Sequence, residues 1–522
     1  MRLMSRKRHR QRRRRRTRHD GLIASFCKKK CSLRQQDDYS QSAAGLRPGL
    51  DLPEDIYRHI HALMPLRDAA RAACVSHTFL QSWRRYRNLT LSKETLGLNV
   101  NGIDKDEMAR DLISKVDGDL ISKVDGILKN HSGVGMKKLE LNLYCCRKVD
   151  HCYLNSWLRI AFRAGIEELT MLLSLTSEAE YNFPCSLLFS GSEKSIRHLK
   201  LSSCVFRPTA ELDCWRRLKE LLLTNVLITS DELECLLSTS SMLELLWLFR
   251  CKEIVRVKIP CQLQRLSFLR VGECRKLQEI ESNAPNISTF DISGSNLVRI
   301  SFGGALQVKN MRMCSYQPNF IWYTRTKLMP SVPNVETLRI SSYNEMISTP
   351  TLPSKFLHLK YLHITLIGHE AISPAYDYLS LVSFLVASPC LETFIFVVHQ
   401  TDMKHDSIVG DISHLRQLPE HCHDNLKSVT IVGFCSAKSM FELTLHIIKN
   451  TSSLQCLTLD TSFGSYGCSV DKPGGCNPMG RDIIKEAHRA LLAIRTHVEG
   501  IIPSRVELNV SGPCSRCHAV EH

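Results

Sequence analysis

Apolar residues return along most of the chain in one short pattern: apolar, two variable positions, apolar, one variable position, apolar. Side chains of a strand point alternately to opposite faces, so this spacing predicts one short strand per copy with its apolar residues on one face. Neighbouring copies lie 21–35 residues apart, a period typical of a stacked repeat array. The copies begin at Met136, Ile166, Ile196, Leu218, Met242, Leu263, Ile287, Val308, Val335, Leu359, Leu391, Leu426 and Leu454.

The pattern is that of leucine-rich repeats, which bury their leucines only against neighbouring copies. It predicts an elongated solenoid with one continuous core and a concave face lined by strands. The residue between the second and third apolar positions should point to solvent on that face. These positions are Glu140, Thr170, Lys200, Leu222, Leu246, Ser267, Asp291, Arg312, Arg339, His363, Ile395, Thr430 and Thr458.

Two neighbouring positions in that row, Leu222 and Leu246, are apolar. They predict a target-binding patch, because contiguous exposed apolar surface marks interaction sites. The alternative is that irregular repeats tilt both side chains into the core, and the sequence leaves the two interpretations open. Several copies also carry a trailing cysteine, as at Cys204. We expect these thiols to bond the backbone of the array.

A separate helical pattern precedes the repeats. Its apolar residues are spaced four, four and three apart, on one face of a helix, at Leu52, Ile56, Ile60 and Leu63. Pro53 suits the first turn of this helix, and Pro65 ends it. Two further helices are predicted over residues 67–75 and 78–84. Three helices in about 40 residues form a marginal core, so we expect a partner to supplement it.

This stretch resembles the F-box, through the Leu52-Pro53 start, the apolar ladder, the turn at Leu63–Leu66, Val75, Phe79 and Trp83. In that family the module docks on the Skp-type adaptor of a cullin-based ubiquitin ligase. The resemblance implies that the adaptor-binding residues are Leu52, Pro53, Ile56, Ile60, Leu63, Pro65, Val75 and Trp83. His77 and Thr78 stand where a basic residue is common in the family. The alternative is an ordinary three-helix packing unit.

A perfect tandem octapeptide, DLISKVDG, occupies residues 111–126 between the helices and the repeats. Despite the duplication, apolar residues keep a spacing of four, at Met108, Leu112, Val116, Leu120, Val124 and Leu128. This regularity predicts one long helix that acts as a strut.

The C-terminal segment over residues 418–460 has the pattern strand, helix, strand, with the amphipathic helix at Phe441–Lys449. It resembles the FBD-type unit that closes many plant F-box/leucine-rich-repeat proteins. A helix over residues 481–499 and a strand over residues 505–510 are predicted to cap the array.

The predicted fold class is therefore α/β, a three-helix F-box module followed by a leucine-rich-repeat solenoid. Five regions are predicted: a basic tail over 1–48, the F-box-like module over 49–92, a helical linker over 93–135, the repeat array over 136–417, and the FBD-like unit with its cap over 418–522.

The net charge of +17 is concentrated in the tail. Residues 1–50 hold 16 Lys and Arg against three Asp, so +13 of the charge lies there. A block of this kind repels itself and suits import receptors or nucleic-acid phosphates. It predicts a nuclear-localisation signal at Arg12, Arg13, Arg14, Arg15 and Arg16, with a merely solvated tail as the alternative. We expect no nucleic-acid binding outside this tail.

Apolar runs, the first residues and the cysteine content bear on the cellular location of the protein. No apolar run approaches the roughly 18 residues that span a bilayer, and the first residues are basic and not apolar. We therefore expect no membrane partner, reduced thiols for the 22 cysteines, and a location in the nucleus, the cytoplasm or both.

No pattern of a catalytic or metal site occurs with the required spacing. Cys514, Cys517 and His518 match the short haem-attachment pattern, but we expect no haem there because the sequence shows no export signal. The sequence lacks a phosphate-binding loop, a nucleophile elbow and a paired-histidine zinc helix. Cysteines cluster at Cys27 and Cys31, at residues 145–152 and at Cys514–His518, but none has a second ligand pair at zinc-site spacing. We predict a non-catalytic protein with no metal and no cofactor.

Together the resemblance and the repeats imply a substrate-recognition subunit of an Skp–cullin–F-box ubiquitin ligase. Its partners would be the Skp-type adaptor, a cullin reached through it, and an unknown target protein. Three alternatives are open: a ligase with its own catalytic cysteine, a nuclear RNA- or chromatin-binding scaffold that uses the arginine tail, and a decayed gene copy.

Overall fold

The computed structural model describes residues 52–98, 109–132, 134–174, 181–189, 196–208, 215–303, 307–328, 332–343, 345–351, 353–368, 376–399, 405–409, 415–419, 421–462, 479–514 and 518. Arg12–Arg16 and the rest of the basic tail lie outside these residues. The chain divides into two compact units. The first comprises residues 1–136 and 152–164, and the second comprises residues 137–151 and 165–522.

Helices dominate the first unit, as predicted. They are α1 Glu54–Leu63, α2 Leu66–Val75, α3 His77–Arg84, α4 Ala109–Asn130 and most of α5 His151–Arg163, with a short strand β1 Asn88–Leu91 after α3. The backbone of Met64 is extended, as expected before a proline. Pro65 therefore ends α1 and also opens α2, where its carbonyl accepts the N–H of Asp68 and Ala69.

One buried histidine joins the first three helices. His61 on α1 is fully buried. Its Nε2 lies 2.8 Å from the carbonyl oxygen of Ala69 on α2, and its Nδ1 lies 3.0 Å from Ser82 Oγ on α3. Since a carbonyl only accepts, Nε2 carries the proton and Nδ1 accepts from the serine hydroxyl. The ring also contacts Phe79, Trp83 and Tyr86 at centroid distances of 5.3–6.1 Å.

The octapeptide duplication is accommodated in one helix, α4, as predicted. Leu120, Val124 and Leu128 are fully buried, so the apolar stripe keeps its face through the second copy. Met108 lies outside the described residues. Immediately after α4, His131 Nε2 donates to the carbonyl of Tyr86, and Ser132 donates to the carbonyl of Arg84. These bonds fasten α4 to the end of the three-helix module.

Parallel strands build the second unit. They are β2 Lys138–Asn142, β3 Glu168–Leu172, β4 His198–Ser202, β5 Glu220–Thr224, β6 Leu245–Phe249, β7 Arg256–Ile259, β8 Phe268–Gly272, β9 Glu279–Ser282, β10 Thr289–Gly294, β11 Arg299–Phe302, β12 Asn310–Ser315, β13 Thr337–Tyr343, β14 Tyr361–Ile367, β15 Thr393–His399, β16 Ser428–Val432, β17 Cys456–Asp460 and β18 Glu507–Ser511. The principal sheet has the order β2-β3-β4-β5-β6-β8-β10-β12-β13-β14-β15-β16-β17-β18, and a small second sheet has the order β11-β9-β7. The α/β class with a repeat solenoid is confirmed.

Helices and short helical turns return the chain between strands of this unit. They are α6 Ser230–Thr239, α7 Phe320–Tyr323, α8 Val382–Ala387, α9 Lys438–Asn450 and α10 Arg481–His497. The predicted C-terminal order is found: α9 lies between β16 and β17, and β18 after α10 pairs with β17. Across the described residues of the chain, no helix is both long and apolar enough to cross a bilayer.

A left-handed turn closes several strands of the principal sheet. Ser203, Asn225, Arg250 and Glu273 each have a φ of 53–57°. Each also donates its N–H to the last or second-last carbonyl of the following strand in the sheet, at 2.7–3.0 Å. This additional hydrogen bond pairs the backbone N–H of the residue at which the chain leaves the sheet, so that this donor is not left unsatisfied.

The buried cysteines that follow these turns bond backbone, as expected from the sequence. Cys251 Sγ lies 3.7 Å from the carbonyl oxygen of Leu223, one repeat earlier, and Cys274 Sγ lies 3.4 Å from that of Gly272. Cys204 is fully buried at the equivalent point of its repeat. The Cys251 thiol thus links two repeats, whereas the Cys274 thiol bonds within its own repeat.

Gly433 is required by close packing between strands β15 and β16. Its φ is +73°, and a Cβ at this position would stand 2.0 Å from the carbonyl oxygen of Val398.

We expect Gly433→Ala to destabilise the second unit by roughly 1–3 kcal/mol. Thermal unfolding followed by circular dichroism should show a lower midpoint. Gly118→Ala is the matched control, because a Cβ there meets nothing within 4 Å and sits in helix α4. Its midpoint should be unchanged or higher; equal losses in both variants would refute the packing argument.

Replacing His61 should lower the stability of the three-helix module. His61→Ala leaves a cavity and removes the partners of Ala69 O and Ser82 Oγ, at a cost of roughly 2–4 kcal/mol. Amide hydrogen exchange over residues 54–84 should accelerate. His59→Ala on the same helix, where the histidine is exposed, provides the matched control and should leave exchange unchanged. Equal protection in both variants would show that His61 does not hold the helices together.

Candidate functional site

The first candidate site is an exposed apolar surface on the three-helix module. Large apolar side chains stand in solvent at Leu52, Ile56, Leu63 and Val75, with exposed fractions of 39%, 44%, 73% and 85%. Pro53 and Pro65 are also exposed, whereas Ile60 and Trp83 are half-buried. The eight residues implied by the F-box resemblance therefore all reach the surface to some degree.

Helix α1 separates its core-facing residues from its exposed ones. Successive residues turn by about 100°, so Ile56, Ile60 and Leu63 fall within one narrow stripe. Tyr57 and His61 point about 100–140° away from Ile56, toward Phe79 of α3. The aromatic core of the module therefore lies on another face of α1, and Ile56 and Leu63 of the stripe are left exposed to a partner.

Charges surround the beginning of this stripe. Glu54 and Asp55 occupy the first turn of α1, where acidic groups suit the helix dipole. Arg58 lies 3.0 Å from Glu54 and 3.5 Å from Asp55, and Arg85 lies 3.6 Å from Glu54. An apolar centre with a charged border is the usual composition of a protein interface.

The second candidate site is the open face of the principal sheet in the second unit. Strand register places one residue from each strand in a continuous central row across the sheet. The row runs Glu140, Thr170, Lys200, Leu222, Trp247, Arg270, Asp291, Arg312, Arg339, His363, Ile395, Thr430, Thr458 and Asn509.

The prediction that Leu246 faces solvent is wrong. Leu246 is fully buried and pairs with the core residue Leu221, while Leu222 pairs with Trp247. The run from Leu245 to Phe249 is apolar at every position, so the repeat pattern fits two registers, and a one-residue slip exchanges the faces. A shift of three residues replaces Ser267 by Arg270 in the row, because Leu266, Leu269 and Val271 also fit the repeat pattern. Ser267 itself is exposed. Leu222 is half-buried on the open face, as predicted.

Trp247 stands in an apolar patch that the sequence pattern obscured. We define the aromatic patch as Leu222, Leu245, Trp247, Phe249 and Phe268, which are half-buried residues on adjoining strands β5, β6 and β8. The unbroken apolar run at residues 245–249 is typical of a strand buried on both faces, and only the register shows which of these residues lie on the open face.

Arg270 links the aromatic patch to the polar part of the row. Its guanidinium lies 4.4 Å from the ring centroid of Trp247, and its Nε lies 3.4 Å from Asp291 Oδ2. Burial raises the pKa of Asp291, against the opposing effects of Arg270 and Arg312. The charge of Arg270 is therefore already engaged by the ring and the carboxyl group.

Two further arginines follow in direct register. Arg312 and Arg339 are paired across β12 and β13 and are both exposed. Arg339 lies 5.1 Å above the ring of Tyr361, and His363 is the next residue in the row. The pKa of His363 is lowered, first by burial and then by repulsion from Arg339 and Arg312.

A serine–histidine–glutamate cluster in the C-terminal part does not have the geometry of a catalytic triad. His405 Nε2 lies 3.1 Å from Glu486 Oε1 and 3.2 Å from Ser436 Oγ, so both partners share one ring nitrogen. A triad needs the acid on Nδ1 and the nucleophile on Nε2. Ser436 is also fully buried, and its N–H donates to Glu486. The cluster joins three segments of the fold.

The histidines at 421–423 form a similar structural contact. His423 Nε2 lies 3.4 Å from His446 Nε2 on α9, and both side chains are buried. Burial lowers the pKa of His423 to about 4, with further lowering by His446 and His421. Two neutral imidazoles can share one hydrogen bond in this arrangement.

Comparisons with known proteins identify the domain types of the repeat region and of the helical module. A family model described as the At1g61320/AtMIF1 LRR domain matches residues 127–515, and an F-box domain model matches residues 50–91. The F-box/FBD/LRR-repeat protein At1g13570 of Arabidopsis thaliana is 26% identical over 197 residues, which is 38% of this chain and 42% of that relative. The chain thus matches less than half the length of this curated relative.

The matched regions coincide with the helical module and with the stacked strands described above. Because the repeat-domain model covers most of the chain and an F-box precedes it, the chain belongs to the plant F-box/leucine-rich-repeat proteins with an LRR domain of the At1g61320/AtMIF1 type.

Proposed function

We propose that this protein is the substrate-recognition subunit of an Skp–cullin–F-box ubiquitin ligase. The F-box and the leucine-rich repeats support a recognition role in general. The specific proposal is that the three-helix module binds a plant Skp-type adaptor, which connects it to a cullin, while the open face of the repeats binds the target protein.

The observation that carries the proposal is the exposed apolar stripe of α1 with its neighbours. A small module gains by burying its large apolar side chains, yet Leu63 and Val75 remain almost as exposed as in an unfolded chain. The interior is instead organised around polar His61 and its aromatic contacts. Contiguous apolar surface on a soluble module is explained by a partner that covers it.

In this proposal the protein performs no bond chemistry. It holds a target near the conjugating enzyme of the ligase and thereby raises the effective concentration of a target lysine. The buried, doubly engaged Ser436 and His405 fit a structural role. The arrangement supports a non-catalytic subunit.

Charges on the stripe should abolish docking. Ile56→Asp combined with Leu63→Asp would place two carboxylates against an apolar partner surface, at a cost of several kcal/mol. We expect the full chain to bind an immobilised plant Skp-type adaptor in biolayer interferometry, and the double variant to lose at least about 100-fold in affinity. Both side chains are exposed, so folding should be unaffected.

Gln81→Asp combined with Arg87→Gln is the matched control. It lowers the net charge by the same two units at exposed positions of the same module, outside the proposed docking residues. This variant should bind the adaptor like the parent. A folded parent that does not bind any plant Skp-type adaptor would contradict the proposal, as would equal losses in the two variants.

A further inference from the structure

The open face of the sheet carries a charge arrangement that specifies a ligand. Within the described strands β12–β16, the side chains on this face include Arg312, Arg339, His363 and His399 but no carboxylate. Most of the protein's positive charge lies in the tail, so this local excess is not a reflection of overall composition. The face is therefore positive at its centre.

The arginine pair, Arg312 and Arg339, is held in an unfavourable arrangement. Register partners on neighbouring strands stand about 4.8 Å apart in the backbone, and like charges directly opposite each other repel. Among the described residues, no carboxylate lies within ion-pair distance of either guanidinium. An anionic group placed between the two arginines would relieve this repulsion and could accept hydrogen bonds from both.

Neighbouring groups keep the arginine pair in place. Arg339 rests on the Tyr361 ring, which restricts its freedom, and Arg270 with Asp291 fills the row between the pair and Trp247. Arg270 forms the ion pair with Asp291, whereas Arg312, the register partner of Asp291 on the other side, is outside ion-pair distance of it and is the next cation along the row. The site therefore has an apolar end at the aromatic patch and an anion-binding end at the arginine pair.

We propose that this face binds an extended acidic segment of a target protein, with one apolar side chain of the segment on the aromatic patch and its carboxylates on the arginine pair. The inference rests on the proposed function, because it names the class of target that the repeats would recognise. Trp247 supplies a large half-buried surface of the kind that dominates binding energy at interfaces.

The sheet also sets the spacing within the segment. Trp247 and the arginine pair are separated by three to four strand intervals along the central row, which is about 14–19 Å. An extended chain advances about 3.3 Å per residue. The apolar and acidic residues should therefore stand about four to six positions apart in a segment that crosses the strands.

Nucleic acid fits this face less well than an acidic peptide. Stable binding of nucleic acid commonly uses about 6–10 phosphate contacts. Here the central row offers two exposed arginines between Asp291 and the apolar Ile395. A short acidic peptide needs no more than this pair and an apolar anchor.

The test uses fluorescence anisotropy with the full chain. The probes are fluorescein-labelled peptides in which one Phe is separated by three, four, five or six Gly and Ser residues from three consecutive Glu. Matched probes carry Gln in place of Glu, or Gly in place of Phe. We expect binding of the Phe–Glu probes, weakening with salt, and at least roughly tenfold weaker binding of either matched probe.

Variants assign the contact to the arginine pair. Arg312→Gln with Arg339→Gln should weaken binding of the Phe–Glu probe at least roughly tenfold. The matched control, Arg265→Gln with Arg275→Gln, removes two exposed arginines that flank β8 outside the strand and should bind like the parent. Trp247→Ala should also weaken binding, provided its circular dichroism spectrum is that of the parent.

Several outcomes would overturn the inference: no Phe–Glu probe binds, Glu and Gln probes bind equally, both arginine variants bind alike, or a single-stranded RNA oligonucleotide binds more tightly than every peptide. Adaptor binding measured on the same preparations separates the two proposals. A chain that binds the adaptor but none of the probes would retain the proposed function and lose this target class. A chain that binds the probes but no adaptor would retain this target class and lose the proposed adaptor binding.

Discussion

The structure of the second unit depends on hydrogen bonding between successive parallel strands. Each short strand satisfies its backbone groups only through the strands before and after it, and its leucines are buried only by the neighbouring copies. This constraint explains the left-handed residues that extend the ladder by one bond, the buried thiols that reach carbonyls, and the glycine at 433 where two backbones approach closely. It also fixes which side chain of every strand is open to solvent.

The same constraint decides what could be predicted from the sequence. The repeat period and the alternation of apolar residues predicted the strands, the α/β class and the C-terminal order of elements. They did not fix the register of β6, because residues 245–249 are all apolar. Packing against Leu221 resolves this by burying Leu246 and opening Trp247. The local spacing of apolar residues therefore predicts the strands and helices, whereas pairing with the neighbouring strands determines which side chains lie on the open face.

The three-helix module follows a different principle. Its apolar spacing predicted the helices, and the family resemblance implied the surface residues that are proposed to bind the adaptor. The pattern did not reveal His61, because a single histidine among apolar residues has no periodic signal, and its two partners are 8 and 21 residues away. By supplying polar bonds at the centre of the module, His61 permits Ile56, Leu63 and Val75 to remain outside. The core contacts and the exposed apolar residues thus lie on separate faces of α1, and the exposed face is the one that the proposed adaptor would cover.

Hydrogen–deuterium exchange of the full chain, with and without a plant Skp-type adaptor, tests the central claim most directly. Burial of the stripe should slow amide exchange in α1 and at the end of α2, because a covered helix opens less often. Exchange in the strands of the principal sheet should not change. Protection over residues 54–75 with unchanged repeats is the result that the account predicts. Adaptor binding that protects the repeats and leaves α1 unprotected would contradict it.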